Sequence, residues 1–410
     1  MQEKNVMVKA TAKMLIDLSE ESLLGMKEMG RKAQSLLKFY SSISVAAVLF
    51  KPQIVPFFSC RSVQLTMKHG ICKYSLIGFV QYAAIGCGHD TVSVIQKASR
   101  IGKLAMAVLK RFDSSTDIVP RLYLIYYAFV GTYSESVQTC SNHLYKGFEC
   151  GLACGDTTSG FLNAIHYVRI AMMAGTHLPT LLKRIEYFLE VMKSHGNMLA
   201  VTHLILDLDT ILILVGKGPR DYTKVQDNAL KFPASLYHQA FRAFWIGHSE
   251  RCHHLFERYG EATKNQSWGS KHQRNFHLLY HGLNSLQIIR RTSVQKTKAC
   301  PGNSLDALKI SAGCSHWNFR NKVHLMEAEI FSYEGKHKEA KASYDAAIAS
   351  AKCVSFVHEQ GLACERAGFH YKKIGDKKNA CNFFNQAKQC YTEWGSQMKV
   401  DSITRRLDAL

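Results

Sequence analysis

The stretch "HSERCHHLF" holds the residues of this chain whose types and spacing come closest to a chemical site. His248 and Cys252 are four residues apart and would share one face of a helix, with His253 and His254 beside them. Imidazole and thiolate are preferred zinc ligands, but a zinc site needs three or four protein ligands. Since no second cluster of suitable spacing lies nearby in sequence, we predict no metal site. An all-α metal-dependent enzyme that uses this cluster is kept as an alternative.

Other reactive residues lack the partners that catalysis or cofactor binding requires. Cys150 and Cys154 are spaced to share a helical face, where we interpret them as small packing residues, the usual role of a free cysteine. His89-Asp90 follows glycines in "GCGHD" and is interpreted as a helix cap. "GKGPRDYTK", which begins at Gly216, lacks the Gly-Lys-Ser/Thr ending of a phosphate loop. We therefore predict no enzyme activity and no cofactor.

The strongest pattern is a repeated helical hairpin near the C-terminus. Small residues and aromatics recur at an offset of 40 positions, so that Gly335 corresponds to Gly375. The matched positions are Ala328, Phe331, Gly335, Ala340, Tyr344 and Ala347 in the first copy and Gly368, Tyr371, Gly375, Ala380, Phe384 and Ala387 in the second. Small residues allow antiparallel helices to approach closely, and glycine ends the first helix of each hairpin. This pattern is typical of tetratricopeptide (TPR) repeats, whose usual period is about 34 residues.

The rest of the chain also favours helices. Only 7 of 410 residues are proline, and 47% are apolar. Helical pairs separated by short Gly/Asp turns recur along it, which predicts an all-α fold, an α-solenoid of TPR-like antiparallel helix hairpins. We predict four segments: N-terminal helices at 1–56, a hairpin array at 57–291, a linker at 292–304, and a TPR-like repeat pair with a capping helix at 305–410.

Charge and cysteine content bear on partners and location. The net charge is +20, and residues 262–321 contain nine basic residues and one acidic residue. Because aromatic interleaving and known binding motifs are missing there, we favour a solvated surface over a nucleic-acid or phospholipid patch and keep an anionic-polymer binder as an alternative. The 13 cysteines have no disulfide-like spacing, which predicts a reducing, cytoplasmic location. Charges interrupt the most apolar windows, so no membrane span is expected.

Several stretches resemble a known family. They include "RLYLIYYAFVG", "NKVHLMEAEI" and "GLACERAGFHYKKIGDKKNACNFFNQAKQCYTEWGSQMKV" and extend from about Val63 to Val400. They are similar to the TPR-like helical region of large multidomain predicted ATPases, which are coupled to serine/threonine-kinase and histidine-kinase modules. The ATPase and kinase motifs of that family are absent from this sequence. The resemblance therefore implies only an α-solenoid between sensing and output modules.

The predicted function follows from the groove that stacked hairpins form. If the first helix of each C-terminal hairpin lines that groove, a partner would contact Leu325, Glu329, Tyr333, Glu365, Phe369, Lys372 and Lys373. We predict a non-catalytic protein–protein interaction solenoid, a scaffold or sensor-coupling segment of an ATPase/histidine-kinase system. Its partners would be proteins or peptides, including the ATPase and kinase modules of that system.

Overall fold

The structure is a computed structural model. It describes residues 2–89, 91–112, 116–218, 233–263, 270–292 and 299–410. These residues form two compact units. The N-terminal unit comprises the described residues of Met1–Tyr167 and Asn265–His272, and the C-terminal unit comprises those of Val168–Lys264 and Gln273–Leu410.

The described residues form twenty α-helices and short 3₁₀ turns, without a β-strand beyond one isolated bridge between Glu28 and Ile71. The first eleven helices are α1 (Gln2–Met14), α2 (Glu20–Leu24), α3 (Arg31–Phe50), α4 (Val55–His69), α5 (Lys73–Cys87), α6 (Val92–Val108), α7 (Val119–Phe129), α8 (Val137–Cys154), α9 (Thr157–Met173), α10 (Leu178–Ser194) and α11 (Met198–Leu214). The next nine are α12 (Pro233–Trp245), α13 (Ser249–Thr263), α14 (Ser270–Thr292), α15 (Ala299–Cys314), α16 (His316–Glu334), α17 (His337–Cys353), α18 (Val357–Lys373), α19 (Lys377–Trp394) and α20 (Gln397–Asp408).

Two arginines of the N-terminal unit donate hydrogen bonds to backbone carbonyls of residues 15–26. Arg100 donates hydrogen bonds to the backbone carbonyls of Leu15 and Leu18, at 2.7 and 2.6 Å. Arg111 donates to the carbonyl of Met26, at 2.8 Å, and to two carbonyls at the end of α2. These carbonyl groups lie at the end of α2 and in the segments that follow α1 and α2.

The predicted repeat pair is present in the C-terminal unit, where α16 pairs with α17 and α18 pairs with α19. Gly375 follows α18 with a φ of +83°, a left-handed conformation that glycine adopts without a steric penalty. Ala380, Phe384 and Ala387 are fully buried at 0% exposure, as the repeat pattern predicts. A side chain at Gly368 would clash with the ring of Phe384, since an added Cβ would lie 2.7 Å from it.

The fold class predicted from the sequence, an α-solenoid of TPR-like hairpins, is confirmed. The period of 40 positions results from long helices, because α17 and α18 each contain 17 residues. The turn between them is short and contains Ser355, whose φ is +59°. The four-segment division stays a prediction. Within the predicted linker at 292–304, α15 already begins at Ala299, and residues 293–298 lie outside the described part of the chain.

Candidate binding cavity of the C-terminal unit

One cavity of the C-terminal unit combines basic and aromatic side chains. Its volume is about 480 Å³, within the range of about 300–1,000 Å³ that is usual for ligand sites. Residues at the end of α12, and on α14, α18 and α20, line it. They are Phe244, Trp245, Ile246, Gly247, Gln287, Arg290, Arg291, Leu362, Glu365, Arg366, Phe369, Met398, Lys399, Ser402, Arg405 and Arg406.

Glu365 of α18 holds one wall of the cavity together. Its carboxylate is 4% exposed and accepts hydrogen bonds from Lys399 Nζ at 2.7 Å and Tyr391 Oη at 2.6 Å. Burial alone would raise the pKa of Glu365, but the charge of Lys399 and these hydrogen bonds lower it below its ordinary value. The carboxylate is therefore ionised, and its hydrogen bonds to Tyr391 and Lys399 connect α18 to α19 and α20.

A second carboxylate lies behind the cavity and holds two of its arginines. Glu329 of α16 accepts hydrogen bonds from Arg290 Nη1 at 2.7 Å and from Tyr344 Oη at 2.6 Å. Arg366 Nη1 lies 4.0 Å from the same carboxylate. Burial opposes ionisation of Glu329, but the two guanidinium groups and Tyr344 lower its pKa below the ordinary value. Arg290 and Arg366 are thus held in place beside the cavity.

Three buried N–H donors at the cavity have no hydrogen-bond acceptor among the described residues. They belong to Nε of Arg366, Nε of Arg406 and Nε1 of Trp245. A buried donor without an acceptor costs about 1–3 kcal/mol. Arg406 Nε lies 3.9 Å from the carboxylate of Glu365, which is beyond hydrogen-bond distance.

The lining carries a strong excess of positive charge. Six of its side chains are lysine or arginine, whereas Glu365 is its one acidic residue. Neither Arg291 nor Arg405 forms an ion pair with any residue that the structure describes. The cavity therefore attracts anionic groups.

Aromatic rings hold two of the guanidinium groups against the wall. The guanidinium carbon of Arg406 lies 4.6 Å from the ring centroid of Phe369, and that of Arg366 lies 5.9 Å from Phe244. Such cation–π contacts stabilise an arginine by about 0.5–2 kcal/mol and limit its rotamers. With Leu362 and Met398, the rings also provide an apolar surface for a ligand side chain.

The seven residues predicted to contact a partner do not all lie at this cavity. Glu365 and Phe369 line it, and Glu329 lies behind it as the partner of Arg290. Leu325 is 1% exposed and belongs to the core. Tyr333, Lys372 and Lys373 are exposed outside the lining. A binding role for all seven stays a proposal.

Sequence reasoning missed the arginines that α14 and α20 bring to the cavity. Arg290 and Arg291 belong to the basic segment 262–321, and Arg405 and Arg406 lie in the predicted capping helix. The charge excess was a signal for the first pair, although several other cations of that segment lie outside the described side chains. Long-range packing brings the two pairs together, and no local pattern encodes it.

The other reactive residues remain separate from the cavity. Cys150 and Cys154 are half-buried free thiols in α8, and burial raises the pKa of Cys150, which disfavours its reactive thiolate. Of the His89-Asp90 pair, Asp90 lies outside the described residues.

The pKa of Glu365 leads to a prediction about pH. Since this pKa is lower in the folded chain than the ordinary 4.5, the ionised carboxylate stabilises the fold above about pH 4.5. That contribution is lost as the pH falls through the folded-state pKa. We expect Glu365→Gln to be less stable than the parent at pH 7, and the difference to shrink below about pH 4.5, in urea unfolding followed by circular dichroism. A difference that does not change with pH would contradict the ion pair with Lys399.

Comparison with known proteins finds two solved structures at low sequence identity. No protein-family model and no curated protein matches the sequence. Among solved structures, the apo form of the quorum sensor NprR from B. thuringiensis matches with 13% identity and a TM-score of 0.46, over 87% of this chain and 99% of that one. A circular tandem repeat protein matches with 11% identity and a TM-score of 0.22, over 99% and 95%. No helix in the described part of this chain is long and apolar enough to cross a bilayer.

Proposed function

We propose that this chain is a non-catalytic interaction protein whose cavity binds an acidic segment of a partner protein. The cavity residues that would contact the segment are chiefly Arg291, Arg366, Arg405 and Arg406. The single observation that carries the proposal is the charge of the lining, which holds six lysine or arginine side chains and one acidic side chain, Glu365. Carboxylates are the acceptors that guanidinium groups bind best, with two parallel hydrogen bonds.

The mixture of charge and apolar surface favours a peptide over a nucleic acid. Phe244, Leu362, Phe369 and Met398 offer a surface on which an apolar side chain next to the acidic ones could pack. A single-stranded nucleic acid would require an extended basic track with stacking aromatics. The cavity instead has a volume of about 480 Å³. An acidic peptide with at least one apolar residue is therefore the better match.

The proposed surface extends from the cavity along α18. Lys372 and Lys373 follow Phe369 by three and four positions, so they lie on the same face of the helix one turn further on. Both are exposed. An acidic segment seated at Phe369 could continue over these lysines, whose rim position implies a smaller contribution than that of the arginines.

A peptide-display selection on the full chain tests the proposal. We expect enriched peptides to be rich in Asp and Glu and to contain an apolar residue. Arg291→Glu/Arg405→Glu should weaken the binding of a selected peptide more than tenfold in fluorescence anisotropy, because it replaces attraction with repulsion at the cavity. Lys372→Glu/Lys373→Glu should weaken it less.

The matched control is Lys338→Glu/Lys352→Glu. It makes the same charge change at two exposed positions of α17, away from the cavity, and should leave binding nearly unchanged. Equal losses in both double variants would mean that only net charge matters. Salt-sensitive binding of a labelled single-stranded oligonucleotide, without peptide enrichment, would favour the anionic-polymer alternative.

We further propose that the chain acts as a scaffold or sensor-coupling segment of an ATPase/histidine-kinase system, in the cytoplasm. The support is the sequence resemblance of the stretches between Val63 and Val400. Co-purification of the tagged chain from its native cells, followed by mass spectrometry, should recover an ATPase or kinase with an acidic segment. Recovery of partners that all lack such modules would argue against this assignment.

A further inference from the structure

Three potential metal ligands of the C-terminal unit come together on two neighbouring helices. They are His253 and Glu257 of α13 and His281 of α14, and one ligand atom from each lies within 4.8 Å of the others. None of the three lines the cavity described above. They therefore form a separate cluster.

The packing of the two helices fixes this cluster. His253 and Glu257 are four residues apart and share a face of α13. Asn284, three residues after His281, donates a hydrogen bond to the backbone carbonyl of Ser249 at 3.0 Å. The ring of Phe256 packs against that of His281, with 4.8 Å between centroids. The hydrogen bond and the ring contact set the register in which His281 faces the other two residues.

One ring nitrogen of His253 has no hydrogen-bond partner in the part of the chain that the structure describes. Nδ1 of His253 is buried and has no hydrogen bond among the described residues. A buried polar atom left unpaired is unfavourable, and coordination of a metal ion would satisfy it. The side chain of Glu257 is exposed. Tetrahedral ligand atoms at zinc lie about 3.3 Å apart, given bond lengths of about 2.0–2.2 Å, so a modest closure of the 4.8 Å cluster is needed.

The ligand types select the metal and exclude a neighbouring thiol. Two imidazoles and a carboxylate suit zinc and similar transition ions rather than Mg²⁺ or Ca²⁺, which prefer oxygen ligands alone. Cys252 is 0% exposed and is not among the residues whose ligand atoms come together. The fold therefore brings together His253, Glu257 and His281, and not the pair His248 and Cys252 that stood out in the sequence.

We propose that His253, Glu257 and His281 bind one Zn²⁺ ion and leave its fourth position to water. Three protein ligands with an open position are the arrangement of zinc sites at which a further ligand can bind. The proposal does not depend on the acidic-peptide function, because the two groups of residues are distinct.

Equilibrium dialysis of the full chain, first freed of metal with a chelator, tests the site. With Zn²⁺ as the probe, we expect one equivalent per chain. Loss of a ligand in His281→Gln or Glu257→Gln should weaken binding at least about 100-fold, since even outer-shell changes cost about 10- to 100-fold. His254→Gln is the matched control, because His254 is exposed on the same helix outside the cluster, and it should bind like the parent.

Two further measurements distinguish a loss of metal binding from a loss of folding. Unchanged circular dichroism of metal-free Glu257→Gln, at an exposed position, would show that the fold is intact while binding is lost. Co²⁺ added to the parent should give the intense visible absorption of a four-coordinate site, and the variants should not. Zinc binding that is absent in the parent, or equal in the parent and both ligand variants, would overturn the proposal.

Discussion

Replacing Ala380 by aspartate should lower the free energy of unfolding by about 3–5 kcal/mol, the usual cost of an uncompensated buried charge. Ala380 is 0% exposed and lies on the face of α19 that also buries Phe384 and Ala387. An aspartate at this fully buried position would either separate the helices or bury its charge. Urea unfolding and a thermal melt measure the loss.

The control for this substitution is Asn382→Asp. It adds the same charge two residues away on the same helix, at an exposed position. Its side-chain oxygen, which accepts a hydrogen bond from Gln386, is retained. We expect a change within about 0.5 kcal/mol. If the two variants had the same melting temperature, the assignment of Ala380 to the buried contact between α18 and α19 would be wrong.

Replacing Glu359 by leucine should also lower the free energy of unfolding by about 3–5 kcal/mol, because it removes one partner of a buried ion pair. Lys322 Nζ lies 2.7 Å from the Glu359 carboxylate, and the two side chains are 0% and 2% exposed. The carboxylate also accepts a hydrogen bond from Tyr280 Oη at 3.2 Å. After the substitution the ammonium would keep one hydrogen bond, to the carbonyl of Asn318, and its contact with the ring of Phe356.

The double variant Lys322→Met/Glu359→Leu separates the lost ion pair from lost packing. It removes both charges and retains side chains of similar length, so it should recover most of the stability. Chemical denaturation of the parent, both single variants and the double variant completes a double-mutant cycle. Additive losses in the cycle would contradict a direct interaction between Lys322 and Glu359.

The fold could be predicted because its signals are local. Gly375 marks the end of a helix, and Ala380, Phe384 and Ala387 mark one face of the next helix at helical spacing. Each signal depends on residues a few positions apart, and its recurrence after 40 positions shows that hairpins stack. The same reasoning named Glu365 and Phe369 as partner contacts; both line the cavity, and their binding role stays a prediction.

The cavity itself could not be predicted, because it depends on contacts between distant residues. Leu325 shares a helix with Glu329, yet both side chains are buried, since neighbouring helices cover that part of α16. Arg290 and Arg406 reach the same cavity from helices more than a hundred positions apart in the sequence. Periodicity reports which face of a helix is buried, but it does not report which other helix covers that face.

The histidine cluster shows the same limit at shorter range. The sequence drew attention to His248 and Cys252 by their spacing, whereas the fold selects His253 and Glu257 and adds His281 from the next helix. His281 lies 28 positions after His253, and no motif connects them. A helix offers i and i+4 pairs at many positions, so a third ligand decides which pair is a site.

A charge-swap measurement tests the central claim, that the arginine-lined cavity binds an acidic segment. A selected peptide and a version with lysine in place of each acidic residue are titrated into the parent chain and into Arg291→Glu/Arg405→Glu. We predict that the parent binds the acidic peptide alone and that the variant loses most of this preference, at unchanged helix content. Tight binding of the acidic peptide by the variant, or no discrimination by the parent, would contradict the account.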